Sequence, residues 1–296
     1  MYADIARNKR DSWILMIVCT ILLVALGWVL GAAFDSPQGG IILATLLATV
    51  LILVGYFRGD KVALTASGAK AIQKSDAPEL YRLVENLAIA DGLSTPMIYL
   101  IPDEAANAFA TGRDPAHASI AVTTGLLKLL DKQELEGVLA HELSHIKNYD
   151  IRFMTLVVVM VGAILLLSDI LLRGNIFRSR RGEGQTALFL FLIGIALAIL
   201  SPLVAELIKL AISRSREYLA DASASLLTRY PEGLAQALEK IAAQDRPMQK
   251  ANHATAHLFL ANPFDPFVTK RFEHLFSTHP PIEKRIERLR HMGTSV

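Results

Sequence analysis

Residues 141–145 read His-Glu-Leu-Ser-His. On a helix, His141 and His145 stand one turn apart on one face, where their imidazoles can share a zinc ion. Glu142 lies beside them, placed to take a proton from a water on that metal. Two histidines do not complete a catalytic zinc site, which takes three protein ligands and keeps one position for water. The third ligand is therefore sought downstream, on another helix. Glu217 is the best candidate, in Ser213-Arg214-Ser215-Arg216-Glu217-Tyr218-Leu219-Ala220-Asp221. Asp221 shares the helix face of Glu217 and is suited to accept the remaining ring N–H of a ligand histidine, which fixes that ring's tautomer. Taken alone, this Arg-Glu-Asp stretch also reads as a solvated surface face; beside the first motif, the ligand reading is preferred.

The elements that must carry these residues are legible nearby. Asp131 can cap a helix and Glu134 follows three residues later, as in a capping box. Leu135, Val138, Leu139 and Ile146 recur at helical spacing, and nothing between Asp131 and Asn148 breaks the pattern. The segment from Ala77 to Asp91 predicts another amphipathic helix, closed by Asp91-Gly92. Met97–Ile101 and Ser119–Thr123 are short strand candidates. Between them lies Asn107-Ala108-Phe109-Ala110-Thr111-Gly112. As a strand near the zinc helix it would bind extended peptide by edge pairing through Asn107, Ala108 and Phe109; as a turn it would hold a satisfied Asn. Pro231–Ala243 and Ile282–Arg290 read as later helices. His253 and His257 are also four apart, but no Glu follows the first, and they read as surface or satisfied core histidines. In Ser277-Thr278-His279-Pro280-Pro281 the two prolines hold the backbone after His279, so this histidine can be aimed at an oxyanion or at a group around the metal; a plain turn is the other reading.

Composition places this chemistry at a membrane. Hydrophobic residues make up 52% of the 296 residues, charged residues only 20%, and mean hydropathy is +0.38. Two hydrophobic pairs stand out: Trp13–Phe34 with Ile41–Phe57, and Phe153–Leu172 with Thr186–Leu200. Each arm approaches the length of a span, which gives about four transmembrane helices; the second pair also reads as a buried helical hairpin. The chain divides into an N-terminal hairpin (1–57), a first catalytic part (58–150), a second hydrophobic hairpin (151–212) and a second catalytic part (213–296). The first apolar run is too long for a cleaved leader and reads as a retained anchor. Arg7, Lys9 and Arg10 precede the first span and Arg58 and Lys61 follow the second, while the loop between has no Lys or Arg, so the catalytic parts are expected in the cytoplasm. Arg173, Arg178, Arg180 and Arg181 pull the other way for the loop of the second pair. If His141, His145 and Glu217 share a metal, an even number of crossings separates them. The single Cys19 excludes an intramolecular disulfide, and a net charge of +2 makes no case for nucleic acid.

Taken in order, His-Glu-Leu-Ser-His, Asn-Ala-Phe-Ala-Thr-Gly at 107–112, Arg-Glu-Tyr-Leu-Ala-Asp-Ala at 216–222 and Ser-Thr-His-Pro-Pro at 277–281 resemble the HtpX family, bacterial membrane zinc endopeptidases related to the CaaX prenyl proteases. The resemblance implies one Zn2+ held by His141, His145 and Glu217, with Glu142 as catalytic acid/base. It implies an α+β, mainly helical, gluzincin-like zinc metalloprotease domain in the inner membrane, facing the cytoplasm. Its substrates would be peptides or proteins, damaged membrane proteins among them, and autolysis would be possible once the enzyme is solubilised. Three rival readings stand beside it: an intramembrane protease, a prenyl-protein protease, and a membrane scaffold with a structural zinc. Charged residues around the motif (Lys132, Glu134, Glu136, Lys147, Asp150) oppose the first; four candidate spans are too few for the second; and a structural zinc needs a fourth ligand that is not evident.

Overall fold

The computed structural model describes residues 2–33, 35–178, 214–244, 246–250, 254–264 and 280–293. Two long helices come first, α1 (Tyr2–Ala33) and α2 (Pro37–Ala66). The loop between them is shorter than the sequence implies, because Pro37, with its preset φ, opens α2 directly after Ser36. Both are long and apolar enough to cross a membrane, over Ile5–Val29 and Pro37–Ala66. Their large apolar side chains are largely uncovered, among them Trp13, Ile17 and Ile21 on α1 and Leu43, Leu46 and Val50 on α2, as lipid-facing surfaces require. Rather than stopping near Phe57, α2 continues two further turns to Ala66 and so carries Arg58, Asp60 and Lys61 beyond its apolar stretch.

Four strands follow: β1 (Lys70–Ala71), β2 (Met97–Ile101), β3 (Ala108–Gly112) and β4 (Ala118–Thr123). They form one sheet in the order β1-β2-β4-β3, with β2 and β4 parallel and the other pairs antiparallel. The segment that read as either strand or turn is thus a strand, and an edge strand. Helix α3 (Pro78–Asp91) precedes β2 and ends on Gly92, whose φ of 73° suits the left-handed cap. Helix α4 (Thr124–Leu129) leads to α5 (Lys132–Lys147), which carries the histidine motif. Asp131 and Glu134 close the expected capping box, a contact worth about 1 kcal/mol.

Three more helices complete the described fold: α7 (Arg214–Thr228), α8 (Pro231–Gln244) and α9 (Ile282–Gly293). One core gathers α3, one face of the sheet, α5, α8 and Leu289 of α9. Gly137 lets α5 and α8 meet: a Cβ there would lie 2.7 Å from the Leu234 amide nitrogen. A second core joins the other sheet face to the end of α2 through Ala63, Leu64, Phe109 and Met154.

Helix α6 (Asp150–Arg178) departs from α5 at a bend of 83°. It contains the expected hydrophobic arm Phe153–Leu172 and runs on past Arg173, where a loop was expected. Its first three turns, however, are surrounded by protein, with Ile151, Phe153, Leu156, Val157 and Val161 all buried. Leu15, Met16 and Cys19 of α1 cover one side of them. Two described helices therefore qualify as spans by themselves, and a third only if α5 and α6 are taken as one bent element. Thr186–Leu200, the proposed fourth span, lies outside the described residues.

Candidate metal centre

Helix α5 presents His141 and His145 on its buried face, and α7 brings Glu217 against them. The Nε2 atoms of the two histidines are 3.2 Å apart. Glu217 places Oε2 3.7 Å from Nε2 of His141 and Oε1 3.5 Å from Nε2 of His145. One ligand atom from each residue falls within 4.8 Å of the other two. No other group of three or more His, Cys, Asp or Glu among the described residues meets that test.

The far nitrogen of each ring is held by a carboxylate. His141 Nδ1 lies 3.0 Å from Asp221 Oδ1, and His145 Nδ1 lies 3.0 Å from Asp150 Oδ2. Each Nδ1–H donates to its aspartate, so both Nε2 lone pairs are directed at the space beside Glu217. This donor set, two Nε2 atoms and a carboxylate each backed by a fixed partner, fits a divalent metal of the zinc type.

Asp221 sits where the sequence placed it; Asp150 does not. It read as one of the charged residues marking a solvent-facing surface, yet it is 1% exposed. The turn explains this. Tyr149 takes a positive φ of 62°, rare for a bulky residue, and the chain reverses sharply enough to return Asp150 beneath His145. Glu134 is also buried, held by the capping box and by Lys240 at 2.7 Å.

Asp150 has further partners. Asn8 of α1 donates through Nδ2 to Asp150 Oδ1 and to the Asn148 carbonyl. Arg216 lies 3.7 Å from Asp150 and 3.9 Å from Asp11, also on α1. The start of the first membrane helix is thus two hydrogen bonds away from a ring nitrogen at the centre.

Arg285 was missed altogether by the sequence reading. This guanidinium of α9 is 1% exposed, 2.7 Å from Asp221 and 3.4 Å from Glu217. Its signal was present: Ile282, Arg285, Ile286 and Leu289 share one helix face at i, i+3, i+4 and i+7, so the arginine occupies a position in a buried stripe.

The charges around the site set its protonation. Burial lowers the His141 pKa, and the nearby Arg285 adds to that, against the pull of Asp221. Burial acts the same way on His145, but the hydrogen bond to Asp150 and the charges of Glu217, Asp150 and Glu142 outweigh it and raise the pKa to about 9. Burial would raise Asp221, yet Arg285 and His141 together hold it below the usual carboxylate range. Glu142 is pushed up to about 7, first by burial and then by Glu217, against the opposing charges of His145 and Arg285 and a hydrogen bond from the Ala110 amide. A carboxylate titrating near neutrality suits a general base.

The edge strand β3 runs beside this centre. Its three expected peptide-binding residues are engaged internally. Asn107 clasps Ala261 with both ends of its amide, at 2.9 and 3.1 Å. The Ala108 carbonyl accepts from the Leu260 amide at 3.0 Å. Phe109 is fully buried and packs edge-on against Phe259. The satisfied-Asn reading therefore holds for Asn107 although its segment is a strand. His257 is a satisfied core histidine, with Nε2 3.1 Å from the Met154 carbonyl. His253 and His279 lie outside the described residues.

A membrane-anchored, mainly helical domain with a His-Glu-x-x-His helix and a downstream Glu defines a class of metallopeptidases. The chain belongs to peptidase family M48, which matches it over residues 74–293. More particularly, it is 47% identical to the Protease HtpX homolog of Dictyoglomus thermophilum over 99% of this chain and 95% of that one. It is 46% identical to the Protease HtpX homolog of Tropheryma whipplei strain Twist over 99% of both chains. Among solved structures it shares a fold with S. mikatae Ste24p, at a TM-score of 0.51 and 19% identity, over 94% of this chain and 66% of that one. The protein is thus an integral membrane metallopeptidase acting on peptides or proteins.

Proposed function

We propose that this chain is a zinc endopeptidase that cleaves damaged or misfolded membrane proteins at the cytoplasmic face of a bacterial inner membrane. The observation that carries the reading is the convergence of His141 Nε2, His145 Nε2 and Glu217, with each ring backed by its own aspartate. His141, His145 and Glu217 would hold the ion, and Asp221 and Asp150 would hold the rings. When bound, zinc acidifies water and polarises a carbonyl.

Glu142 takes the proton released as water attacks the scissile carbonyl, then returns it to the leaving amine. Burial of Glu142 keeps both of its forms accessible near neutral pH. A substrate strand would pair with β3 at the Ala110 carbonyl, since the Ala110 amide donates to Glu142 and the flanking positions are taken by Leu260 at Ala108 and by Thr155 at Gly112. His279, two residues before Pro281 and six before Arg285 in the chain, would reach the oxyanion or a group around the metal. Solubilised enzyme supplied with zinc would also cut its own exposed loops.

The test is casein degradation by the purified protein, with and without zinc, beside a Glu142→Gln variant. The variant is expected to keep one zinc per chain and to lose proteolysis. Full activity in Glu142→Gln would remove the base assignment, and activity unaffected by a chelator would remove the metallopeptidase mechanism.

A further inference from the structure

A cavity of about 390 Å³ lies away from the metal centre, where α2 leaves its apolar stretch. Arg58 and Lys61 of α2 line one side, and Arg113 and His117, from the connection between β3 and β4, line the other. Thr155 of α6 also lines it, and its hydroxyl is bonded to Thr111 at 2.8 Å and to the Gly112 amide at 3.1 Å. Asp60 is the one carboxylate in the lining.

Three features point to the occupant. The first is depth. The dense exposed apolar row of α2, through Leu46, Val50, Leu53, Val54 and Phe57, is broken by Arg58, and Val62 alone among the exposed large hydrophobics of α2 follows it. A helix that crosses a bilayer leaves the hydrocarbon layer at such a boundary, so the cavity opens at headgroup level. The second is charge. Arg58 and Lys61 are exposed and have no carboxylate partner among the described residues, and Arg113 shares its charge only with Asp114 at 3.5 Å. Three guanidinium or ammonium groups thus outnumber two carboxylates, Asp60 in the lining and Asp114 beside Arg113. The third is the aromatic rim: Tyr56 and Phe57 line the membrane side, with the Arg113 guanidinium 5.6 Å from the Phe57 ring. Amphipathic rings and basic side chains together are the usual chemistry of the headgroup layer.

The geometry points to a binding site for the phosphodiester headgroup of an anionic phospholipid, held between Arg58 and Lys61 of the membrane helix and Arg113 of the catalytic domain. Arg113 directly follows β3, the strand whose Ala110 amide reaches Glu142. A lipid in this cavity therefore ties the edge strand of the active site to the membrane surface.

The full chain is placed in nanodiscs of phosphatidylcholine mixed with phosphatidylglycerol, and lipids retained on release are identified by native mass spectrometry. The wild type is expected to retain phosphatidylglycerol in preference to phosphatidylcholine. Arg58→Gln and Lys61→Gln, both exposed and so harmless to folding, should each lower that retention about fivefold, as expected for one basic residue at the membrane surface. Lys132→Gln, which removes an equal charge outside the cavity, should leave it unchanged. Equal retention of the two lipids, or wild-type retention in both cavity variants, overturns the proposal. Loss of the retained lipid on adding inorganic phosphate at constant ionic strength also overturns it, by assigning the cavity to free phosphate.

Discussion

The residues of the centre divide into those that face the ion site and those that hold them, and the two groups should respond differently to substitution. Glu217→Ala removes a donor and should abolish both zinc retention and activity. Asp221→Ala leaves all three donors in place and frees one ring, a change typically worth about 10–100-fold in affinity or activity. Metal analysis of the two purified variants separates the cases, and normal zinc in Glu217→Ala would assign the third ligand elsewhere. Protonation supplies a second test. Without metal, the His145 pKa near 9 means that the ring carries both protons at pH 7. With Nδ1–H bonded to Asp150, the second proton is carried on Nε2, the atom a metal would bind. Zinc must displace it, so zinc uptake at pH 7 should release about one proton from His145, and affinity should fall by roughly tenfold per pH unit on acidification while this proton alone competes. Calorimetry in buffers of different ionisation heat measures the release; no buffer dependence would refute the account.

At the scale of elements, the membrane helices do more than anchor. Asn8 on α1 and Asp150 at the start of α6 complete the support of His145, although 142 residues separate them in the chain. Asn8→Leu keeps the side-chain volume and the insertion of α1 but removes the donor to Asp150. Zinc affinity, measured by competition with a chromogenic chelator, is expected to fall about tenfold, at the lower end of the range for such outer contacts. Unchanged affinity would reduce the contact to packing. The capping box of α5 and the helix that carries the motif were legible from Asp131, Glu134 and the apolar spacing, because these are local interactions. The bend after it was not. It depends on Tyr149 adopting a left-handed conformation that its residue type disfavours, where α6 packs against α2, α1 and β3.

At the scale of the whole molecule, the proposed ligand set requires α5 and α7 to share one compartment. On the proposed reading, the basic residues around α1 and α2 would put that compartment in the cytoplasm. Single cysteines at Lys132 and Glu232 are therefore expected to resist an impermeant thiol reagent in intact cells, in a background lacking Cys19, while a cysteine at Gln38 is labelled. A cysteine at Gly182 reports on the segment after α6: labelling means that the second hydrophobic pair crosses, and protection means that it turns back. Labelling at Lys132 but not at Glu232 would put the proposed ligands on opposite sides of the membrane and exclude the shared site.

The sequence by itself determined the chemistry that could occur. His141, Glu142 and His145 are set by the period of one helix, and Glu217 and Asp221 by the period of another; a helix repeat needs no tertiary information. Hydropathy likewise identified α1 and α2, since a span must be apolar over its whole length. Tertiary structure alone decided which charges are buried together. Arg285 was visible as an arginine in an apolar stripe, but its partners, Glu217 and Asp221, lie on another helix more than sixty residues earlier in the chain. Asp150 could be read equally well as a surface residue until the bend after Tyr149 placed it under His145. Ala108 and Phe109 open a strand that Asn107 precedes, but whether that edge was open depended on Leu260 and Ala261, which no local pattern connects to them. Spacing along one element is written in the order of residues. Contact between elements follows from how their buried faces pack, and that is a property of the folded chain.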